Sequence, residues 1–414
     1  MKILHLSTQD IGGGAAIAAN RIHCAMKKMG LDSQELVLFK LTKDGCIFPV
    51  SKFESKLYTL LRARLESRRK GHTKPEYGLF SYAKYGVDVT EYEAFKQADI
   101  IYIHWIHSSF LSLSGIEKII KSGKKIVFFL HDMWHITGGC HYSFECNKYK
   151  IHCNCCQMFL TQKNKDLSYA QFERKKKNFK KYDNISFITP SQWLTQCVKD
   201  SSFSRNKPVA RIPYPLDFSI YKPVNKEVAR NIFNLPQDKQ LVCFGAVSGT
   251  ANPYKGWSYM EEALRNLKKD NVKNIEAVIF GSNFNQKIMD CVPFPVHFTG
   301  RLHDAFSLAT LYSAVDVYVT PTLADNLPQT CLEALACGTP VVGFNIGGIP
   351  DMVEHKKNGC LAEYKNSEDL ADGIKYVLFA DNYDVLSQNA VNKVKNLSFE
   401  TTIIEQHLNF LKSC

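Results

Sequence analysis

The fold of this chain is decided by residues 315–342, which read VDVYVTPTLADNLPQTCLEALACGTPVV. The run 315–319 is mostly apolar and β-branched, which is typical of a buried strand. A short polar loop follows, and then a helix that we predict to begin at Pro328 and to end before Gly338. A second strand is predicted at Val341. The segment is therefore a strand–helix–strand unit, the building block of a parallel sheet.

The loop and the helix of this unit carry polar groups at informative positions. The backbone amides of Asn326 and Leu327 would lie at a helix N-terminus, where free N–H groups suit a phosphate. Glu333, about one and a half turns into the helix, could accept hydrogen bonds from a ribose diol. Asp325, on the loop, could accept from a sugar beyond the phosphates. These positions predict a nucleotide-sugar site; the alternative is a strand–helix–strand unit with two solvated carboxylates.

At these residues the chain resembles the family-4 retaining glycosyltransferases, which have the architecture called GT-B. The resemblance is strongest over residues 296–353, where Asp325 and Glu333 match the family's two spaced acids, the first of which is usually Glu. It implies two Rossmann-like parallel-sheet domains facing across a cleft. It also implies retaining transfer of a sugar from a nucleotide-diphosphate donor to a glycan or lipid-diphosphate-linked acceptor, in surface-polysaccharide biosynthesis.

The alternation of strands and helices continues on both sides of the linker 212–217, which contains two prolines. Strands are predicted at 3–7, 36–39, 100–103, 126–130 and 185–188 before the linker, and at 241–244, 276–280 and 296–298 after it. We expect an N-terminal acceptor-side domain at 1–207 and a nucleotide-sugar domain at 208–398. In the resemblance the last segment, 399–414, is a helix that crosses back to the first domain.

The excess of positive over negative charge lies entirely in the first half of the chain. Residues 1–207 hold 33 Lys and Arg against 18 Asp and Glu, whereas residues 208–414 hold 19 against 22. Such a half attracts an anionic partner. The segment 52–70 adds an apolar stripe at helical spacing, which indicates an anionic membrane surface; the alternative is that the stripe packs on the core. The stripe consists of Phe53, Leu57, Leu60, Leu61 and Leu65, and its basic flanks are Lys52, Lys56, Arg62, Arg64, Arg68, Arg69 and Lys70. No apolar run is long enough to span a bilayer, and the first strand is too short for a signal peptide. We expect a cytoplasmic protein, peripheral on the inner face of the membrane.

Three further positions belong to the first domain. Gly12-Gly13-Gly14 links the first strand to the first helix, but Ile17 and Lys40 do not fit a nicotinamide fingerprint. The resemblance instead places Gly14 near the donor phosphates. His131 follows the strand 126–130, at the sheet edge where ligands bind, and in the resemblance it hydrogen-bonds the donor sugar; a structural histidine is the alternative. Trp105 could stack on the acceptor or simply pack.

The second domain adds a candidate phosphate loop at 245–256. Lys255 matches a lysine of the family, whereas Thr250 stands where the family has Arg. The leaving diphosphate therefore meets one cation here, unless Arg301 supplies a second.

Five of the fourteen cysteines fall between positions 140 and 156. Cys153 and Cys156 have the C-x2-C spacing that lets two thiolates share a zinc ion, and Cys140 and Cys146 could complete a structural site. Free thiols and a redox pair are the alternatives. No catalytic metal is expected, because the transfer chemistry has its own groups.

Two other functions remain at this point. A nucleotide-sugar epimerase of the same architecture would consume donor without an acceptor. A non-catalytic nucleic-acid-binding protein would use the basic half, but no aromatic-interleaved motif supports it, and no nucleic-acid partner is expected.

Overall fold

The computed structural model describes residues 1–50, 61–62, 64–65, 73–245, 252–282 and 284–414. These residues form two compact units. The first combines Met1–Pro215 with Glu400–Cys414, and the second is Leu216–Phe399. Each unit is an α/β structure around one parallel sheet, so the fold class predicted from the sequence is confirmed at this level.

Within the described residues, the sheet of the first unit has seven strands in the order β3-β2-β1-β4-β5-β6-β7. Every neighbouring pair runs parallel. The strands are β1 Lys2–Gln9, β2 Asp32–Phe39, β3 Ile47–Pro49, β4 Ile100–Ile103, β5 Lys125–Phe129, β6 Ile185–Thr189 and β7 Val209–Arg211. The helices are α1 Gly14–Lys28, α2 Glu93–Gln97, α3 Leu113–Lys121, α4 Leu167–Lys181 and α5 Gln192–Asp200.

The two faces of this first sheet differ in chemistry. Leu4 and Leu6 of β1 belong to the aliphatic core together with residues of the neighbouring strands. His5, between them, points to the opposite face because successive side chains of a strand alternate. It pairs in register with Glu35 of β2 and Tyr102 of β4. The second face is therefore buried but polar.

The described part of the second unit has a six-stranded parallel sheet in the order β10-β9-β8-β11-β12-β13. Its strands are β8 Gln240–Gly245, β9 Ile275–Phe280, β10 Val296–Gly300, β11 Val317–Thr320, β12 Val341–Phe344 and β13 Gly359–Ala362. Its helices are α6 Lys226–Ile232, α7 Trp257–Lys269, α8 Gln286–Cys291, α9 Ala305–Ala314, α10 Gln329–Ala336, α11 Ile349–Met352, α12 Ser367–Leu378 and α13 Tyr383–Ser398. Strands β8, β11 and β12 are almost wholly buried, as apolar β-branched runs require in a sheet covered on both faces.

The last helix, α14 (Glu400–Ser413), belongs to the first unit. Lys28 of α1 forms an ion pair with Glu400 at 3.1 Å. Inside the unit, His407 Nδ1 lies 3.0 Å from the hydroxyl of Tyr102. Lys125 donates to the carbonyl of Leu411 at 2.7 Å. Helix α14 is thus fixed to the polar face of the first sheet.

The structure differs from the sequence prediction in three respects. The expected boundary at 207/208 precedes β7, the seventh strand of the first sheet, and the division into units lies after Pro215. The second expected boundary, 398/399, lies one residue before the division at Phe399. Helix α10 begins at Gln329, with Pro328 as its N-cap and not as its first residue.

The amphipathic segment predicted at 52–70 lies almost wholly outside the described residues. None of the helices that the structure does describe is both long enough and apolar enough to traverse a bilayer.

Candidate functional site

The loop between β11 and α10 is enclosed by backbone from two other loops. A Cβ added to Gly256 would come within 1.8 Å of the carbonyl oxygen of Pro321, and one added to Gly347 within 1.9 Å of that of Asp325. Both glycines also have positive φ, at +75° and +58°. Only glycine combines that backbone with so close an approach. The loop 321–328 is therefore held in one position by its neighbours.

Hydrogen bonds join the same loop to the residues just before α7. The backbone N–H of Leu323 donates to the carbonyl of Tyr254 at 2.7 Å, and the Thr322 hydroxyl donates to the same carbonyl at 3.0 Å. The Tyr364 hydroxyl donates to the carbonyl of Leu323 at 3.2 Å. The loop before α7 and the loop between β11 and α10, which are about 70 residues apart in sequence, are thus joined into one structural element.

This arrangement brings together two of the predicted site residues. Lys255 Nζ lies 2.7 Å from Asp325 Oδ2, and their side chains are 26% and 14% exposed. Burial alone would lower the pKa of Lys255, but Asp325 outweighs that effect and the pKa is raised. Lys255 therefore carries its positive charge at neutral pH, and it lies against Asp325 of the loop that follows β11.

Helix α10 presents the remaining predicted groups of this unit. Asn326 and Leu327, which precede it, are both buried. Glu333 is also buried, and the Tyr312 hydroxyl of α9 donates to its Oε2 at 3.3 Å. The helix ends at Ala336, and Gly338 follows with φ of +81°, as the sequence predicted. Glu333 is thus a buried carboxylate that accepts a hydrogen bond from a tyrosine.

Two other residues were considered for the phosphate loop, Arg301 and Thr250. Arg301 follows β10 and is exposed. Thr250, at the position where the family has Arg, lies outside the described residues. Lys255 is the predicted phosphate-loop cation for which the structure gives a defined partner.

In the first unit, His131 lies two residues after the end of β5, and both nitrogens of its ring have partners. Nε2 lies 2.9 Å from Nδ1 of His104, and Nδ1 lies 3.0 Å from the hydroxyl of Tyr214. Burial lowers the pKa of His131 to about 4, although Asp132 acts in the other direction. The ring is therefore neutral at pH 7, and a sugar would have to replace one of its present partners.

The other two predicted residues of the first unit are more accessible. Gly14 is exposed and is the first residue of α1. Trp105 is partly buried, and its ring meets that of His107 edge-on at 4.9 Å.

Sequence reasoning overlooked Asp10, which fixes the glycine-rich loop. Its buried carboxylate accepts from the backbone N–H groups of Ile11, Leu41 and Thr42 at 2.8–3.1 Å. An acid between a strand and a run of glycines was the available signal, but it resembles an ordinary turn residue. Tyr312, which orients Glu333, carried no signal, because a tyrosine inside an apolar helix is usually part of the core.

The four predicted zinc ligands lie near one another. Burial raises the pKa of Cys140, and Cys153, Cys156 and Cys146 raise it further through their charges. All fourteen cysteines are free thiols. In the ranges described, no group of three or more His, Cys, Asp or Glu side chains is arranged to hold a metal ion. Zinc at these cysteines thus stays a prediction.

The two histidines of the cysteine-rich segment have carboxylate partners. His141 Nδ1 lies 2.6 Å from Asp132 Oδ2, and His152 Nδ1 lies 3.1 Å from Glu173 Oε1.

Solved structures of other proteins share the fold of this chain. HepE from Anabaena, solved with UDP and glucose, matches with a TM-score of 0.67 at 16% identity, over 100% of both chains. Sucrose-phosphate synthase from Thermosynechococcus elongatus matches with a TM-score of 0.68 at 17% identity, over 100% of this chain and 99% of that one. At these identities the likeness shows the fold alone, which is the predicted GT-B fold of two Rossmann-like domains.

The sequence comparisons add a family match over part of the chain. Residues 238–379 match the family model of glycosyl transferases group 1. D-inositol 3-phosphate glycosyltransferase of Mycobacteroides abscessus is 29% identical over 199 residues, 45% of this chain and 42% of the relative. An uncharacterized glycosyltransferase of Methanocaldococcus jannaschii is 27% identical over 208 residues, 48% and 52% of the two chains. This chain spans about half, or less, of the length of these curated relatives.

Residues 238–379 of the second unit therefore resemble the glycosyl transferases group 1, and the predicted resemblance to glycosyltransferases is confirmed over that segment. The matched segment contains Lys255, Asp325 and Glu333.

Proposed function

We propose that the protein is a retaining glycosyltransferase that uses a nucleotide-diphosphate sugar. One observation carries the proposal: Lys255 and Asp325 form an ion pair beside the N-terminus of α10, within the segment that matches the family. A cation, a carboxylate and a helix N-terminus meet at one strand edge, which is where open α/β sheets bind ligands. HepE, which shares the fold, was solved with UDP and with UDP-glucose, and this supports a nucleotide-sugar donor.

Each residue of the second unit has a separate role in this proposal. Glu333 accepts hydrogen bonds from the ribose. The amides of Asn326 and Leu327 bind the diphosphate, aided by the helix dipole. Asp325 accepts from hydroxyls of the donor sugar. Lys255 faces the diphosphate and stabilises the negative charge that forms on it.

In the reaction, the bond between the anomeric carbon and the diphosphate oxygen breaks, and the nucleoside diphosphate leaves with the electron pair. The acceptor hydroxyl forms the new bond on the same face of the sugar, and its proton passes to the departing diphosphate. Lys255 stabilises the charge that develops on that oxygen, which is a preorganised electrostatic contribution. Retention follows because attack and departure share one face.

We extend the proposal to the first unit on the resemblance. His131 contacts the donor sugar, Gly14 lets the backbone approach the phosphates, and Trp105 contacts the acceptor. The acceptor is a glycan or a lipid-diphosphate-linked sugar of surface-polysaccharide biosynthesis, reached from the cytoplasmic face of the membrane. The excess of Lys and Arg in residues 1–207 supports an anionic acceptor. A phosphorylated soluble acceptor has the same charge, and the relative that acts on D-inositol 3-phosphate is an example of that chemistry.

A transfer assay tests the proposal. The purified protein is incubated with a panel of nucleotide sugars and with lipid-diphosphate-linked and soluble acceptors. Release of nucleoside diphosphate is measured, and the anomeric configuration of the product is read by NMR. We expect release that depends on the acceptor and a product with the configuration of the donor. An inverted product contradicts the retaining mechanism, and interconversion of the sugar without an acceptor indicates an epimerase.

Two variants tie the activity to the site. Lys255→Met is expected to lower turnover at least tenfold, since hydrogen bonds to charged groups are worth roughly 1.5–3 kcal/mol. Lys287→Met is the matched control, because Lys287 is an exposed lysine of the same unit outside the site. If the two variants retain equal activity, Lys255 does not act on the donor.

A further inference from the structure

Three histidines lie on the polar face of the first sheet and its edge. His5 is on β1, His104 follows β4, and His131 follows β5. His5 pairs in register with Tyr102, so His104, two residues later, projects to the same face. His5 and His104 are wholly inside the unit, at 0% and 1% exposure, whereas His131 is 9% exposed. A ligand that reaches these rings therefore meets His131 first.

The three rings form a continuous hydrogen-bonded row. His5 Nδ1 lies 2.9 Å from His104 Nε2, and His104 Nδ1 lies 2.9 Å from His131 Nε2. The row ends at Tyr214, whose hydroxyl is 3.0 Å from His131 Nδ1. The ring centroids of successive histidines are 5.2 Å apart.

The chemistry of imidazole makes the tautomers of the row depend on one another. A neutral ring donates through one nitrogen and accepts through the other. Because every link joins Nδ1 of one ring to Nε2 of the next, all three rings must carry their proton on the same type of nitrogen. If His104 donates to His131, then Nδ1 of His131 carries a proton and donates. If His104 accepts, then Nδ1 of His131 is an acceptor.

We propose that His104 is a positioning residue that fixes both the ring orientation and the tautomer of His131. This inference rests on the proposed function, in which His131 contacts the donor sugar. His104 does not touch the substrate. It determines whether His131 offers the sugar a donor or an acceptor at Nδ1, the nitrogen whose present partner is Tyr214.

Two substitutions of His104 separate its hydrogen bond to His131 from its hydrogen bond to His5. His104→Asn places an amide near the position of Nδ1 and so keeps the contact with His131. His104→Gln places it near the position of Nε2 and so keeps the contact with His5. His303→Gln is the control, since His303 is an exposed histidine of the second unit. The full-length protein is used throughout, and its melting temperature is recorded for each variant.

Steady-state kinetics and the tautomer of His131 provide two independent measurements. Long-range proton–nitrogen NMR of the protein with labelled histidine reads the tautomer at pH 7. For His104→Gln we expect kcat to fall roughly tenfold, the effect of one lost hydrogen bond, with donor KM changed by less than about twofold. The NMR signature of His131 should change in the same variant. His104→Asn should retain most of the activity and the parent tautomer.

Each outcome bears on the proposal. It is overturned if His104→Gln and His104→Asn lose activity equally, or if neither changes the His131 signature. If neither variant folds, Tyr214→Phe provides the test, because it removes the other hydrogen bond of His131. The tautomer of His131 should then stay unchanged. A changed tautomer would show that Tyr214, and not His104, determines it. If the parent transfers no sugar, the proposed function fails. NMR alone then tests the role of His104: a doubly protonated His131 ring, or a mixture of its two tautomers, contradicts it.

Discussion

Glu333 provides the sharpest residue-scale test of the donor site, because its carboxylate is buried and oriented by Tyr312. We predict that Glu333→Ala weakens the affinity for the donor nucleotide by roughly 1.5–3 kcal/mol, the usual value for a charged hydrogen bond. Calorimetric titration measures the change. Tyr312→Phe is the matched control, since it keeps the carboxylate and should lose less. Unchanged affinity in Glu333→Ala would remove this residue from the site.

Glu35 gives a second residue-scale prediction, which concerns pH and stability. Burial raises the pKa of this carboxyl from 4.5 to about 8, Asn20 opposes the shift, and Asp10 and Asp44 add to it. At a pH between these two pKa values, Glu35 keeps its proton in the folded protein but has lost it in the unfolded chain. The free energy of unfolding therefore falls as pH rises from about 4.5 to about 8.

Substitution by an amide tests this dependence. In Glu35→Gln that part of the pH dependence should disappear, and the gain of the variant on the parent should grow with pH to roughly 2–5 kcal/mol at the upper end of the window. Denaturant unfolding at a series of pH values measures it, with exposed Glu93→Gln as the control. A parallel pH dependence in Glu35→Gln and the parent would show that Glu35 ionises normally.

Single residues show what the sequence could predict of the site. Asp325 and Lys255 were both singled out, and the structure joins them at 2.7 Å. Their contact itself was not predictable, because it depends on Gly256 and Gly347 bringing separate loops to the same place. The partners of His131 were not predictable either, since a histidine after a strand gives no sign of where its ring nitrogens bond.

At the scale of elements, buried strands were the easiest to predict. Strand β4 matches its prediction at both ends, and β8, β9 and β11 are within two residues of theirs. Their apolar β-branched runs follow from burial on both faces. Helix α4 was not predicted, because its sequence is dominated by basic residues and shows no clear apolar stripe. In the structure it buries Lys175, which donates to the carbonyl of Thr137 at 3.0 Å.

The cysteine-rich segment allows an element-scale prediction. We predict that Cys140, Cys146, Cys153 and Cys156 bind one structural zinc ion, whose coordination would add to the stability of this segment. Elemental analysis of protein purified without chelator should find about one zinc per chain. Cys153→Ser should lose it, and Cys155→Ser, outside the predicted set, should keep it. Absence of zinc from the parent, with freely titratable thiols, would refute the site.

At the scale of the whole molecule, the uneven charge predicts binding to an anionic membrane surface. Leu61 and Leu65 of the predicted apolar stripe are described, and both are exposed, which favours an interface over packing on the core. The protein should sediment with anionic vesicles at low salt and be released by added salt. Binding should fall when Arg62, Arg64, Arg68 and Arg69 are changed to Gln. If it does not bind anionic vesicles at low salt, the acceptor is reached in solution.

The two-unit organisation was predictable because strands and helices alternate on both sides of one proline-rich linker. Its boundaries were less so. Strand β7 (Val209–Arg211) is short and only partly buried, so it lacks the apolar run that identifies the other strands, and the first sheet was predicted to end too early.

The central claim is that the second unit binds a nucleoside-diphosphate sugar, and thermal unfolding with a panel of nucleotides tests it most directly. A ligand bound only by the folded protein stabilises it by about 2.7 kcal/mol when its concentration is 100 times Kd. We expect one nucleoside diphosphate and its sugar conjugates to raise the melting temperature of the parent, and Glu333→Ala to lose most of that increase. If no nucleotide stabilises the parent, or if Glu333→Ala responds as the parent does, the account of the site is contradicted.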